Sequence, residues 1–326
     1  MPKISRRAFT AGLAGSVTAP SIARAQAYPA PGQTIKIVVG FPPGGSQDIN
    51  GRIVADRLGA LWGVPTVVEN VAGAGGNIAM DRVAKGPTDG TNILIVPPGI
   101  ATNQFLYSKL SYDPEKDLTP IGLVSTQPNL LVGAKSLQPN TVPELIAFAK
   151  ANPGKLNFAT TGIGTTTHLS GELFKRMTGI EMKAVHYRGS SVALNDLLSG
   201  TVEMIFDNIS AVVPQVRGGN LKALGISSTK PAPLAPDFVP IADTVPGYET
   251  LSWAGLGVRA GTPKEICDKI EAANKVICKD PLLVSRLNTV VTDVIGSGQQ
   301  EFGAFVASER AKWGKLITEL KIKIGD

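Results

Sequence analysis

Histidine and cysteine are almost missing from this sequence, two of each in 326 residues. His168 and His186 have no carboxylate or cysteine at metal-ligand spacing beside them, which argues against a zinc site. Cys267 and Cys278 share one helical pattern, "TPKEICDKIEAANKVICKD", whose rise of 1.5 Å per residue holds the two sulfurs roughly 16 Å apart. They read as small buried apolar residues, not as a disulfide. No G-x-S-x-G elbow surrounds Ser170, so a His168–Ser170–Asp207 triad lacks the turn that would expose its nucleophile. No lysine follows the glycines of "IVVGFPPGGSQDING", which removes a P-loop. Ile78 stands where "ENVAGAGGNIAM" would need the third glycine of a dinucleotide fingerprint, so Gly73 and Gly75 are expected on a loop at a cleft rim. With no nucleophile beside a base and no cofactor motif, the expected class is a binding protein and not an enzyme.

Positive charge is scarcer than the formal +6 implies. The segment "KISRRAFTAGLAGSVTAPSIARAQA" sets Lys3, Arg6 and Arg7 before a weakly apolar Ala/Gly-rich run and ends in small residues, which reads as an export signal. Ser5 to Phe9 fits the start of a twin-arginine signal; Thr10 and Ala11 depart from it, and a Sec signal also fits. Its apolar run of roughly 14 residues is short of the ~20 that span a bilayer. Small residues allow cleavage after Ala27 or after Ala25, and the first leaves Tyr28 as the mature start. Without residues 1–27 the formal charge falls to +2. No cluster of Lys and Arg interleaved with aromatics remains, so nucleic acid is not an expected partner. The protein is expected in the periplasm.

Short apolar runs then alternate with helical patterns: "TIKIVVG", "DINGRIVADRLGALWG", "PTVVENV", "NIAMDRVAKGP", "TNILIVP". That alternation predicts an α/β fold with a parallel sheet and crossover helices. A second set runs from "TVPELIAFAKANPG" to "LKALGISS". Between the sets lies "LTPIGLVSTQPNLLVGA" and after the second lies "LSWAGLGVRAGTP", two extended stretches expected to cross between domains as a hinge. The division is residues 28–123 with 255–326 in one domain and 124–254 in the other, with the ligand cleft between. Helix signals mark the last stretch: Thr262 and Glu265 as a capping box with Pro263 at the first helical position, and Asp280–Pro281 as a new start. The Pro-rich "TKPAPLAPDFVPIADTVPG" keeps recurring apolar residues and is expected to be an ordered surface loop.

One grammar occurs twice, once per domain: apolar strand, glycine-rich loop, amphipathic helix, in "IKIVVGFPPGGSQDINGRIVADRL" and "KLNFATTGIGTTTHLSGELFKRM". Such a turn aims the free N–H groups of the first helical turn, and the positive end of the helix dipole, beyond the strand's carboxyl end. In the first loop Gly44 and Gly45 can expose amides, Ser46 offers a hydroxyl, Asp48 is placed to cap the helix and Phe41 can form an apolar wall. In the second, Gly162 and Gly164 bracket the turn, and Thr161, Thr165, Thr166 and Thr167 supply hydroxyls able to donate to a carboxylate. Two facing turns of this kind would grip a carboxylate without a formal cation. Asp207–Asn208 follows "VEMIF" at a strand end, where it orients a ligand or water, or caps the next turn.

The sequence resembles the Bug family of periplasmic solute-binding proteins, the receptors of tripartite tricarboxylate transporters. The likeness runs through "VVGFPPGGSQD", "VVENVAGAGGNIAMDRVAK", "LSYDPEKDLTPIGLV", "PGKLNFATTGIGTTTHLSGELFK", "VHYRGSSVALNDLLSG", "MIFDN" and "SWAGLGVRAGTP". It implies a type II-like two-domain clam that takes a small organic carboxylate and delivers it to a two-component membrane permease, as a monomer and without a cofactor. The contacts it implies are Phe41, Gly44, Gly45 and Asp48, then Thr161, Gly162, Thr165, Thr166 and His168, with Asp207 near bridging waters. Two departures, Pro97–Pro98–Gly99 and Gln104 in the rim segment, bear on which carboxylate is bound.

Overall fold

The computed structural model describes residues 28–324; the export segment 1–27 lies outside them. In chain order the first elements are β1 (Ile35–Val39), α1 (Ser46–Trp62), β2 (Thr66–Asn70), α2 (Asn77–Ala84), β3 (Asn92–Val96), α3 (Gly99–Leu106) and β4 (Leu118–Gly133). There follow α4 (Val142–Ala151), β5 (Leu156–Thr160), α5 (Thr166–Thr178), β6 (Met182–His186), α6 (Ser190–Ser199), β7 (Met204–Asn208), α7 (Ile209–Arg217) and β8 (Lys222–Ile226). The chain ends with β9 (Leu251–Arg259), α8 (Lys264–Ile277), α9 (Pro281–Thr289), β10 (Asp293–Val294) and α10 (Gln299–Glu319).

Apolar residues on successive positions of β1 and β3 explain why helices cover both sides of the sheet. Ile35, Ile37, Val39, Ile93 and Ile95 face a core shared with α1, α8 and α9. Val38, Leu94 and Val96 face the opposite one, shared with α2, α3 and α10. The period-two side-chain alternation of a strand sorts them in this way. The same logic builds a second lobe, where Ile205 of β7 joins one core with α6 and α7. Met204 and Phe206 join the other, with α4 and α5. The Pro-rich stretch is ordered, with Ala232, Ala235, Phe238 and Ile241 buried in those cores. Cys267 and Cys278 are buried free thiols in the first lobe.

The sheet is mixed, which corrects the expectation of a parallel one. β2–β1–β3 and β6–β5–β7 are parallel triplets, but β9 joins β3 antiparallel and β4 joins both β9 and β7 antiparallel. The reason is length. β4 has 16 residues, about 50 Å at 3.3 Å each, enough to serve as a strand of both lobes. Leu118 to Pro128 pair with β9, and Asn129 to Gly133 pair with β7. A second correction concerns α8. Its first residue is Lys264, and Thr262 donates its hydroxyl to the Arg259 carbonyl instead of capping. Asp280 does cap α9, accepting from the Leu282 amide with Pro281 behind it.

Candidate ligand-binding site

The two glycine loops have the same construction, offset by 120 positions. Gly44 and Gly164 take left-handed backbone, φ +85° and +77°, which favours glycine. Gly45 and Thr165 are extended N-caps, and Ser46 and Thr166 open α1 and α5. The third helical residue then reaches back: the Gly44 amide donates to Asp48 Oδ2 at 2.9 Å, and the Gly164 amide donates to His168 Nδ1 at 3.1 Å. Asp48 also accepts from Arg52 Nε and Asn70 Nδ2. Burial pushes the Asp48 carboxyl up, but the hydrogen bonds from Arg52, Gly44 and Asn70 outweigh it and hold the pKa low. His168 is driven down to about 3 by burial and by neighbouring His186, so it is neutral and serves as an acceptor.

These contacts redistribute the roles expected from the sequence. Gly44's amide, Asp48 and His168 are occupied in shaping the turns and do not line the cavity between the lobes. That cavity is lined by Phe41, Pro42, Gly45, Ser46 and Gln47 from the first loop, and by Thr161, Thr165 and Thr166 from the second. Gly162 lies further out, on the groove that opens from it. Of the four threonine hydroxyls, three bond to one another: Thr161, Thr165 and Thr167 lie 2.8 to 3.3 Å apart, and Thr165 donates to the Gly162 carbonyl at 2.7 Å. Thr166 alone keeps a hydroxyl with no partner among the described residues. In the first loop Ser46 Oγ accepts from Asn208 Nδ2 across the cleft at 2.5 Å, which leaves its proton free to donate.

Sequence reasoning missed several lining residues: Gln47, Gly189, Ser190 and Ser252, while Pro97 to Gly99 were noted without a contact role; Asn208, expected to orient a ligand or water or to cap the next turn, lines the cavity. Their signal was the third strand-loop-helix turn, "VHYRGSS", and the start of α3. Gly189 is required by proximity, because a Cβ there would stand 2.9 Å from Pro42 Cδ of the other lobe. The cavity is thus reached by the N-terminal ends of five helices: α1, α3, α5, α6 and α7. Each turns the positive end of its dipole toward the cavity. None of the lining side chains carries a formal charge. Asp207 is fully buried behind Ser190, accepting from Ser190 Oγ at 3.0 Å and the Asn208 amide at 2.8 Å, while Oδ2 has no partner. Burial pushes its pKa up to about 6. Ser170 is buried with its hydroxyl on Thr250. Among the described residues no group of His, Cys, Asp and Glu is arranged to hold a metal.

A two-lobed α/β clam with shared strands, whose loops and helix ends converge on an uncharged cavity, defines a solute-binding protein of periplasmic type. The family model described as "Tripartite tricarboxylate transporter family receptor" matches residues 51–322, and the chain belongs to that family. Solved relatives agree. Rpa4515 of R. palustris, solved with adipate, is 36% identical with a TM-score of 0.85, over 87% of this chain and 96% of that one. The periplasmic binding protein BugD is 30% identical with a TM-score of 0.85, over 89% and 99%. MatC (Rpa3494) of Rhodopseudomonas palustris, solved with malate, is 30% identical with a TM-score of 0.82, over 87% and 98%.

Proposed function

We propose that this chain is a periplasmic receptor, exported by residues 1–27, that captures a small organic carboxylate between its two lobes and delivers it to a tripartite tricarboxylate-type permease. One observation carries the reading: five helix N-termini meet at a cavity with free donors and no formal charge, an arrangement that favours an anion and offers nothing for covalent chemistry. The carboxylates in Rpa4515 and MatC support the ligand class. The contacts we assign are the amides of Gly45, Ser46 and Gln47, the hydroxyls of Ser46 and Thr166, and Phe41 as the apolar wall. Gly44, Asp48, Thr161, Gly162, Thr165 and His168 hold the loops in shape. Asp207 acts from behind through Ser190.

Thermal denaturation against dicarboxylates, tricarboxylates, aromatic acids and acidic amino acids tests this. Ligand at 100 times its dissociation constant adds about 2.7 kcal/mol, worth several degrees at roughly 2 to 4 °C per kcal/mol. A flat response to every acid would overturn the proposal.

A further inference from the structure

A line of buried polar side chains runs from the cavity into the crossing of the lobes. Ser46, Asn208, Asn129, Thr250 and Ser170 are all buried, the last three completely. The cavity lining takes in Ser46 and Asn208 and none of the other three. Ser170 Oγ donates to Thr250 Oγ1 at 2.8 Å, and Thr250 Oγ1 donates to Asn129 Oδ1 at 3.4 Å. Asn129 Nδ2 donates to Asn208 Oδ1 at 3.4 Å, and Asn208 Nδ2 donates to Ser46 Oγ at 2.5 Å. Every bond in the line runs the same way, with its donor end toward the cavity.

The line is anchored where β4 passes from one lobe to the other. Pro128 is the last β4 residue paired with β9, and Asn129 is the first paired with β7, directly opposite Asn208. Residues opposite one another on neighbouring strands share a face of the sheet, which is why these two side chains meet. The Asn129 amide donates to Ser227 Oγ at 2.7 Å, and Ser227 Oγ donates to the Thr250 carbonyl at 2.6 Å, so the middle of the line is tied to fixed backbone. An asparagine amide keeps nearly the same shape when its oxygen and nitrogen exchange places, and only its hydrogen-bond partners decide which atom faces where. Turned over, Asn208 would show Oδ1 to Ser46. The Ser46 hydroxyl would direct its proton there, and lone pairs instead of donors would meet an anion in the cavity.

We propose that Asn129, held by Thr250, is a positioning residue that locks the Asn208 amide with Nδ2 toward the cleft, so that Ser46 and Asn208 both offer protons to a bound carboxylate. The inference rests on the carboxylate reading of the cavity and adds what sets its polarity. Asn208 Nδ2 has a second N–H besides the one on Ser46. Donors chained in one direction in a low-dielectric interior polarise one another and strengthen the last bond of the chain. Neither Asn129 nor Thr250 touches the ligand; both act through Asn208.

NMR of the full mature chain without ligand reads the relay alone. An Asn208 side-chain amide proton, assigned by its loss in Asn208→Ala, is expected downfield and protected from exchange with solvent. Asn129→Leu and Thr250→Val should move it toward the position of exposed asparagine amides, while Thr250→Ser, which keeps the hydroxyl, should leave it in place. Calorimetry with succinate, adipate and benzoate then reads the consequence. Each acid that binds the wild type should bind Asn129→Leu and Thr250→Val about tenfold more weakly and Thr250→Ser within about twofold of the wild type. Backbone amide spectra show that the variants are folded; if Asn129→Leu is not, Thr250→Val, a methyl in place of one hydroxyl, carries both arms. An unmoved Asn208 signal, unchanged affinity, or a loss of affinity that Thr250→Ser shares overturns the relay and leaves the carboxylate reading intact. A moved signal in a protein whose wild type binds no acid overturns the carboxylate reading, and the proposal with it.

Discussion

Thr166 is the one hydroxyl of its loop without a protein partner, so Thr166→Val removes a donor while nearly keeping the volume. A hydrogen bond to a charged acceptor is worth about 1.5 to 3 kcal/mol, and calorimetry should show carboxylate binding weakened roughly 10- to 100-fold. Unaltered affinity in a well-folded variant would remove Thr166 from the contact set. Asp207 acts on stability. Its folded pKa, raised to about 6 by burial, lies above the ~3.9 of an unfolded Asp, so the native state holds more protons between those values. Stability therefore falls as pH rises from about 4 to 6 and stays lowered above, by about 3 kcal/mol at 1.36 kcal/mol per unit. Asp207→Asn should erase this component, with its melting temperature gaining on the wild type from pH 4 to pH 7. A difference that does not vary with pH would overturn the assignment. Both residues stood out in the sequence, but their roles did not. Which threonine keeps a free hydroxyl depends on distances between side chains at 161, 165 and 167, and those follow from the turn, not from residue type.

The strand-loop-helix turns depend on their back-bonded acceptors. Asp48→Ala leaves the Gly44 amide without its acceptor and Asn70 Nδ2 with only the Phe41 carbonyl, and urea unfolding should report a loss of about 2 to 3 kcal/mol together with weaker ligand binding. Asp280→Ala, at the cap of α9 and remote from the cavity, should cost about 1 kcal/mol and leave binding untouched. If both variants bind as wild type, the Asp48 pin has no part in shaping the site. The turns were legible because an apolar run, glycines and a helical pattern in that order are local. α3 and α7 were not: Pro97–Pro98 precedes one and Pro214 sits inside the other, and both mask a helical reading. The antiparallel entry of β4 and β9 was equally hidden, since hydrophobic pattern fixes which face of a strand is buried and carries no direction.

On the scale of the whole molecule, two lobes with four packed cores might be expected to melt separately, as independent domains do. The passage of β4 through both sheets forbids it. Residues Leu118 to Pro128 hold the first lobe's ladder and Asn129 to Gly133 the second's, so the loss of either sheet strips the other of a central strand. β9 pairs with β3 and β4 over the same span, and α10 of the first lobe lays Trp313, Leu316 and Ile317 against Leu169 of α5 in the second. The lobes therefore have no means of failing alone. Scanning calorimetry of the mature chain should give a single transition with equal calorimetric and van't Hoff enthalpies, and saturating carboxylate should move that peak upward without splitting it. Two resolved peaks would mean that the shared strand transmits no cooperativity. A receptor built this way is an all-or-none object to a protease: it offers no half-unfolded lobe to cut.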